Sequence, residues 1–351
     1  MFIKSLSNIF SRPIFYRRVL LPLSGIVILG TLFSAIAFWV FVSMPAEKEG
    51  IDSFFLVNDG ASLSQIAGDL EERGFIKSSR VFILWARFKG VSRKIKAGEY
   101  CINPGMPPSK ILGILNRGAI ATYQVTIPEG FSRIQIGELL EKKELVDKET
   151  FISLTGDEEI ANRYGLSGPD LEGYLYPDTY RFAKSYSAIS VIDKMIRRFF
   201  EVIEPLKEDI ELSNMNMEEI VTLASIIEKE TARPEERPVI ASVFLNRLNK
   251  GMRLESDPTV IYGIKDFDGN IRKRHLREKT PFNTYVIRGL PPGPIANPGI
   301  DSIRAVLSPA ETDYFFFVSK NDGTHYFSET FSEHLRAVET YQRSRGRAKN
   351  N

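Results

Sequence analysis

The fold class this sequence predicts is mixed α+β, carried on a single apolar N-terminal helix. Three observations predict it. The twenty-six residues from Val19 to Met44 contain no Asp, Glu, Lys or Arg. A short strand–turn–helix pattern then occurs twice at an offset of 70 residues. Beyond it, stretches of helical period alternate with a loop dense in proline and glycine.

The first element is the apolar run. A helix of that length spans roughly 39 Å, enough for a hydrocarbon core of about 30 Å. Arg17 and Arg18 precede it, and Glu47, Lys48 and Glu49 follow it. The bias of basic residues places 1–18 in the cytoplasm and everything after 45 outside. Trp39 suits the interfacial aromatic belt. A cleaved signal peptide is the competing reading, since Ala35-Ile36-Ala37 resembles a cleavage box. However, apolar residues continue through Phe38-Trp39-Val40-Phe41-Val42, past the usual length of such a segment.

The second element is the repeat. Residues 57–76 (VNDGASLSQIAGDLEERGFI) overlay 127–146 (IPEGFSRIQIGELLEKKELV). Gly60 meets Gly130, Ser62 meets Ser132, Gln65 meets Gln135, Ile66 meets Ile136 and Leu70 meets Leu140. Each copy reads as a strand, a glycine turn, a serine cap and an amphipathic helix. Common strand–turn–helix grammar would explain this equally well; a small adaptor for an extended polymer is the functional reading. A weaker echo lies at 104–115, a further strand is expected over Lys94–Tyr100, and a domain boundary falls near 118–124.

The third element is the helix in EEIVTLASIIEKETA at 218–232. Leu223, Ile226, Ile227 and Glu230 share one face, directed at a core. Glu228 points elsewhere, with Ala224, Ser225, Thr231 and Ala232 around it, so something could approach its carboxyl. A solvated helix end is the plainer alternative. The loop 289–299 carries Pro291, Pro292, Pro294 and Pro298 with Gly289, Gly293 and Gly299, giving a stiff shape that suits the wall of a groove. Asn283, Thr284, Tyr285 and Asn297 would supply polar contacts there.

Composition excludes several classes. The chain has 351 residues, 43% of them apolar, which suits two or three packed domains and not disorder. One cysteine and three histidines leave little for a disulfide framework or a metal site, so no metal or cofactor is expected. The net charge of +2 is uneven: 1–18 and 343–351 carry +4 each, leaving 38 basic against 44 acidic residues, a net −6, over 19–342. An acidic body argues against a nucleic-acid partner. Neither G-x-S-x-G nor S-x-x-K occurs, so acyl transfer is not expected.

LEGYLYPDTYRF at 171–182, LASIIEKET at 223–231, VFLNRLNKGMRLESDPTVIYG at 243–263, TPFNTYVIRGLPPGPIANPG at 280–299 and DYFFFVSKNDGTHYFSETFSEH at 313–334 resemble the endolytic murein transglycosylases. The resemblance runs from the anchor to about residue 340. It implies a single-pass enzyme of the bacterial cytoplasmic membrane that cuts peptidoglycan glycan strands. The implied layout is a cytoplasmic tail (1–18), an anchor (19–44), a LysM-like α+β module (51–120), a larger mixed α+β catalytic domain (121–342) and a basic tail (343–351). The family's catalytic acid, the first glutamate of E-K-E-T, falls on Glu228. Partnership with peptidoglycan synthases is also implied.

On that resemblance, a neutral Glu228 protonates the oxygen between N-acetylmuramic acid and N-acetylglucosamine. The resulting Glu228 carboxylate then takes the proton from the muramyl C6 hydroxyl, which closes on C1 to give a 1,6-anhydro end. Candidate substrate contacts are Ser225, Glu230, Ser256, Asp257, Thr259, Tyr262, Asn283, Thr284, Tyr285 and Asn297. Glu230, Glu255 and Asp257 are the available second carboxylates, with Glu230 read as facing the core side or capping a neighbour and Asp257 as fixing a turn before Pro258. A hydrolytic muramidase and a non-catalytic wall-binding scaffold are the alternatives.

Overall fold

The computed structural model describes residues 21–91, 95–264 and 267–343. The expected tail over 1–18 and the tail beyond Arg343 lie outside them. The fold is mixed α+β: helices dominate, and the described strands form three two-stranded antiparallel sheets. The chain divides into two compact units, one ending at Thr122 and one beginning at Tyr123.

The first unit begins with α1 (Leu21–Ser43), 23 residues with no acidic or basic group at either end. Leu23–Ser43 is long and apolar enough to cross a membrane and fits a single-pass anchor. Most of its large apolar side chains, among them Phe33 and Trp39, face outward instead of packing inside the unit. Then follow β1 (Ser53–Val57), α2 (Leu63–Glu72), α3 (Ser79–Phe88), β2 (Gly98–Ile102) and α4 (Pro108–Arg117). β1 and β2 pair with Phe55 opposite Tyr100. The inward faces of both strands bury Phe55, Val57, Tyr100 and Ile102 against Ile66, Leu70, Phe82 and Ile111. The strand expected over Lys94–Tyr100 starts later, at Gly98, and runs on to Ile102; Lys94 lies outside the described residues.

The second unit opens on the same grammar. β3 (Tyr123–Thr126) leads through a turn into α5 (Arg133–Lys142), followed by α6 (Lys148–Thr155), α7 (Glu158–Arg163) and β4 (Thr179–Phe182), which pairs back on β3. Both copies start their helix with a capping box, Ser62 with Gln65 and Ser132 with Gln135, satisfying two orphan amides each. Both turns need a left-handed residue, supplied by Gly60 (φ 71°) and Gly130 (φ 74°). Next come α8 (Ala188–Ile203), α9 (Lys207–Leu212), α10 (Met217–Glu230), α11 (Arg237–Asn249), α12 (Asp257–Gly263) and α13 (Ile300–Leu307). The hairpin β5 (Phe316–Ser319) and β6 (His325–Ser328) and the helix α14 (Phe331–Val338) complete the unit.

α10 is the centre of this unit. Asn216 and Glu219 form its capping box, Glu218 adds one further carboxylate in its first turn, and Lys229 in its last complements the helix dipole. Eight consecutive residues, Ile220 to Ile227, are buried, because α11, α12 and α13 pack around it on several sides. Such a position demands a helix with no charged residue in its buried stretch, and its two polar members, Thr222 and Ser225, are small.

Candidate active site

Glu228 and Glu230 leave the last turn of α10 about 200° apart, since each residue turns roughly 100°. They meet different surroundings.

The Glu228 carboxylate is occupied by the protein itself. Arg237 Nη2 lies 3.1 Å from Oε1, while the Gly299 N–H (3.1 Å) and Ser302 Oγ (2.7 Å) donate to Oε2. Gly299 and Ser302 start α13, so the carboxylate sits at a helix N-terminus, where negative charge is favoured. The side chains of Arg237 and Glu228 are 7% and 6% exposed. Glu129 and Asp301 approach the same guanidinium at 3.6 and 3.7 Å. Burial and the charge of Glu228 push the Glu129 carboxyl up. The turn of the second repeat copy closes over this cluster: Lys229 Nζ donates to the Gly130 carbonyl at 3.1 Å, and the Gly130 N–H donates to the Asn297 carbonyl at 2.9 Å.

Glu230 reaches a cavity of about 420 Å³. Arg247, Glu255, Asp257, Tyr285, His325 and His334 line it with Glu230. Ser256 Oγ donates to Glu230 Oε1, and the carboxyl makes no other hydrogen bond or ion pair among the described residues. Burial dominates its titration and pushes it up to about 7; the Ser256 bond opposes this, Asp257 adds to it and Arg247 works against it. A carboxyl near neutrality, buried but open to a cavity, is the form a general acid takes.

Of the expected contacts, Glu230, Asp257 and Tyr285 come together on this cavity, with Ser256 touching Glu230. The Tyr285 hydroxyl donates to Asp257 at 2.7 Å. The others are hydrogen-bonded within the protein and do not line this cavity. Ser225 donates to the Thr222 carbonyl and accepts the Ile295 N–H. Thr259 and Thr284 bond each other and hold the segment around Ser256, and Asn283 donates to the His275 and Glu278 carbonyls. Asn297 is fully buried; it bonds the Phe131 carbonyl, the Leu175 N–H and Glu172. Tyr262 also donates to Glu172, at 3.1 Å. Glu172 thus ties together the second repeat turn, the proline loop and α12, and burial pushes its carboxyl up to about 8.

Sequence reasoning did not single out Arg247, Glu236, His325 or His334. Arg247 donates to the Phe315, Arg253 and Leu254 carbonyls, fixing the cavity's rim. The signal for the histidines was present: two of the chain's three lie within ten residues of each other in a motif already noted. A larger groove, about 890 Å³, lies by the start of α10 with Leu290, Pro291 and Pro292 on its wall, but neither motif glutamate reaches it.

The model of the YceG-like family matches residues 55–340. The chain is 34% identical over 314 residues to a Bacillus subtilis (strain 168) protein named endolytic murein transglycosylase, covering 85% of this chain and 87% of that one. A protein of the same name from Streptococcus pneumoniae serotype 2 is 29% identical over 321 residues, or 82% of this chain; the match spans 58% of that longer protein. The crystal structure of a yceG-like protein from Listeria monocytogenes superposes with a TM-score of 0.57 at 32% identity, covering 83% of this chain and all of that one.

Proposed function

Because the chain belongs to the YceG-like family, we propose that it is an endolytic murein transglycosylase whose proton donor is Glu230. The observation that carries the assignment is the Glu230 carboxyl, held near neutrality on the cavity floor. Glu228 is the residue on which the family's acid was expected to fall. Its two oxygens already serve Arg237, Gly299 and Ser302, so we assign it to holding α10, α11 and α13 together.

In this reading protonated Glu230 donates to the oxygen between the muramyl and glucosaminyl sugars. The muramyl C6 hydroxyl attacks C1, and a 1,6-anhydro end forms without water. A base must take the C6 proton, and the carboxylate left on Glu230 is one such group. General acid help contributes about 10²–10⁴ in rate. Asp257 and Tyr285 supply polar contacts across the cavity, which suits sugar hydroxyls better than a basic surface would.

Residues 51–120, from β1 through α4, are assigned to glycan binding as a LysM-like module, and α1 to a cytoplasmic-membrane anchor with 1–18 inside. Such an anchor restricts cleavage to strands near the membrane, where synthases work. Hydrolysis is the second reading, since Glu255 and Asp257 share the cavity and two carboxylates suffice for it. Mass spectrometry of digested glycan strands separates the two. Internal fragments with anhydromuramyl ends are expected; reducing ends would assign the hydrolase, and no cleavage at all would leave a binding scaffold.

A further inference from the structure

The cavity holds a second group with the layout of a proton acceptor. His325 begins β6 and Glu236 ends the 3₁₀ turn Pro234–Glu236. Glu236 Oε2 lies 2.7 Å from His325 Nδ1, and Oε1 accepts the His325 backbone N–H at 2.8 Å. Thr231 Oγ1, on the residue after Glu230, donates to the same carboxylate at 3.2 Å. The imidazole meets Phe317 edge to face at 5.4 Å.

These contacts fix the ring chemically as well as in space. Burial alone would raise the Glu236 carboxyl, but the His325 side-chain and backbone bonds outweigh it and hold the group below the usual carboxylate range. An ionised carboxylate only accepts, so Nδ1 carries the hydrogen, and in the neutral form of the ring Nε2 is the acceptor left over. His325 and Glu230 line the same cavity. The other charged or titratable groups there are Arg247, Glu255, Asp257, Tyr285 and His334. His275, by contrast, is engaged by Arg272 and Arg274 and lines a different cavity.

We propose that His325 is a second catalytic residue of this site, its Nε2 taking the proton from the muramyl C6 hydroxyl while Glu236 orients the ring. The inference rests on the transglycosylase reading with Glu230 as acid. Glu230 gives its proton to the departing glucosaminyl oxygen as the C1–O bond breaks. O6 forms its bond to C1, the O6–H bond breaks, and that proton goes to Nε2. Two separate groups let both transfers occur in one step, which a single carboxyl still holding its proton cannot do. Passage of the proton from imidazolium to the Glu230 carboxylate restores the enzyme, so no water, oxidant or metal is consumed.

The test uses the full-length chain in detergent with purified glycan strands, comparing wild type, Glu230→Gln, His325→Asn and His325→Gln. Asparagine can keep the Nδ1-type donor to Glu236 while removing Nε2, so the clamp stays and the base goes. His325→Asn should bind strands as wild type does, yet cleave them about 10²-fold or more slowly. The acid limb of the wild-type kcat/KM profile should also flatten in this variant. His325→Gln guards against a folding defect and should show the same loss. Cleavage by His325→Asn within about threefold of wild type, or a wild-type profile with no acid limb, overturns the proposal. If Glu230→Gln is inactive while His325→Asn is active, only the histidine assignment fails. If wild type releases no anhydro ends, the transglycosylase reading itself fails.

Discussion

Two sides of one helix turn carry nearly identical carboxyls and use them in opposite ways. Glu228 is met by a guanidinium, a backbone amide and a hydroxyl, so its charge is spent on joining three helices. Glu230, partly buried like Glu228, receives a single serine bond, and burial pushes it up to about 7 at the edge of a cavity. The difference teaches that burial alone does not make an acid. What separates the two is their partners: a guanidinium, an amide and a hydroxyl meet Glu228, and one neutral hydroxyl meets Glu230.

The largest stability effect separating the two sides should come from Glu228→Gln. It removes the charge that Arg237 pairs with and leaves the guanidinium to Glu129 and Asp301, which are half-exposed and farther away. A loss of about 1–3 kcal/mol is expected by denaturant unfolding, whereas Glu230→Gln should be at least as stable as wild type at pH 8. Equal losses in the two variants would erase the contrast.

A smaller effect concerns pH. Glu172 and Glu230 have folded-state values of about 8 and about 7, above their unfolded values near 4.5. The stability they contribute is therefore full below the unfolded value and is lost as pH rises through 7 to 8. The unfolding free energy should fall over that range by an amount on the order of 1 kcal/mol per pH unit, and the unfolding midpoint with it. Glu172→Gln should flatten the slope, because glutamine copies the neutral acid toward Asn297 and Tyr262. A midpoint that rises with pH would contradict both assignments. The smallest effect is that of Ser256→Ala, which removes the one bond favouring the Glu230 carboxylate. Its alkaline activity limb should move to higher pH at a stability cost of about 0.5–1.5 kcal/mol; a limb that moves down would break the account of Glu230.

Much of this arrangement was legible in the chain. The repeat fixed its own capping boxes and glycine turns, because those depend on residues within a few positions of each other. Helical period also separated Glu228 from Glu230 correctly and set Glu230 on the apolar face. What local pattern could not give is where that face stops being core. The cavity at its end is built by Arg247, the Leu254–Asp257 segment and the β5–β6 hairpin, up to about a hundred residues away in sequence. The small neighbours of Glu228 suggested open space, yet α11 and α13 fill it. Asn297 was expected to face a ligand, and its bonds to Phe131, Leu175 and Glu172 hold it inside instead. Gly173 shows how close that approach is: a Cβ there would lie 2.5 Å from Pro294.

The most direct test of the central claim is the rate of anhydromuramyl-end formation by Glu228→Gln and Glu230→Gln, measured side by side on the same glycan strands with folded protein. The account predicts that Glu230→Gln loses about 10²–10⁴ in rate while Glu228→Gln stays within about tenfold of wild type. The reverse order, with Glu230→Gln active and Glu228→Gln silent, would contradict it.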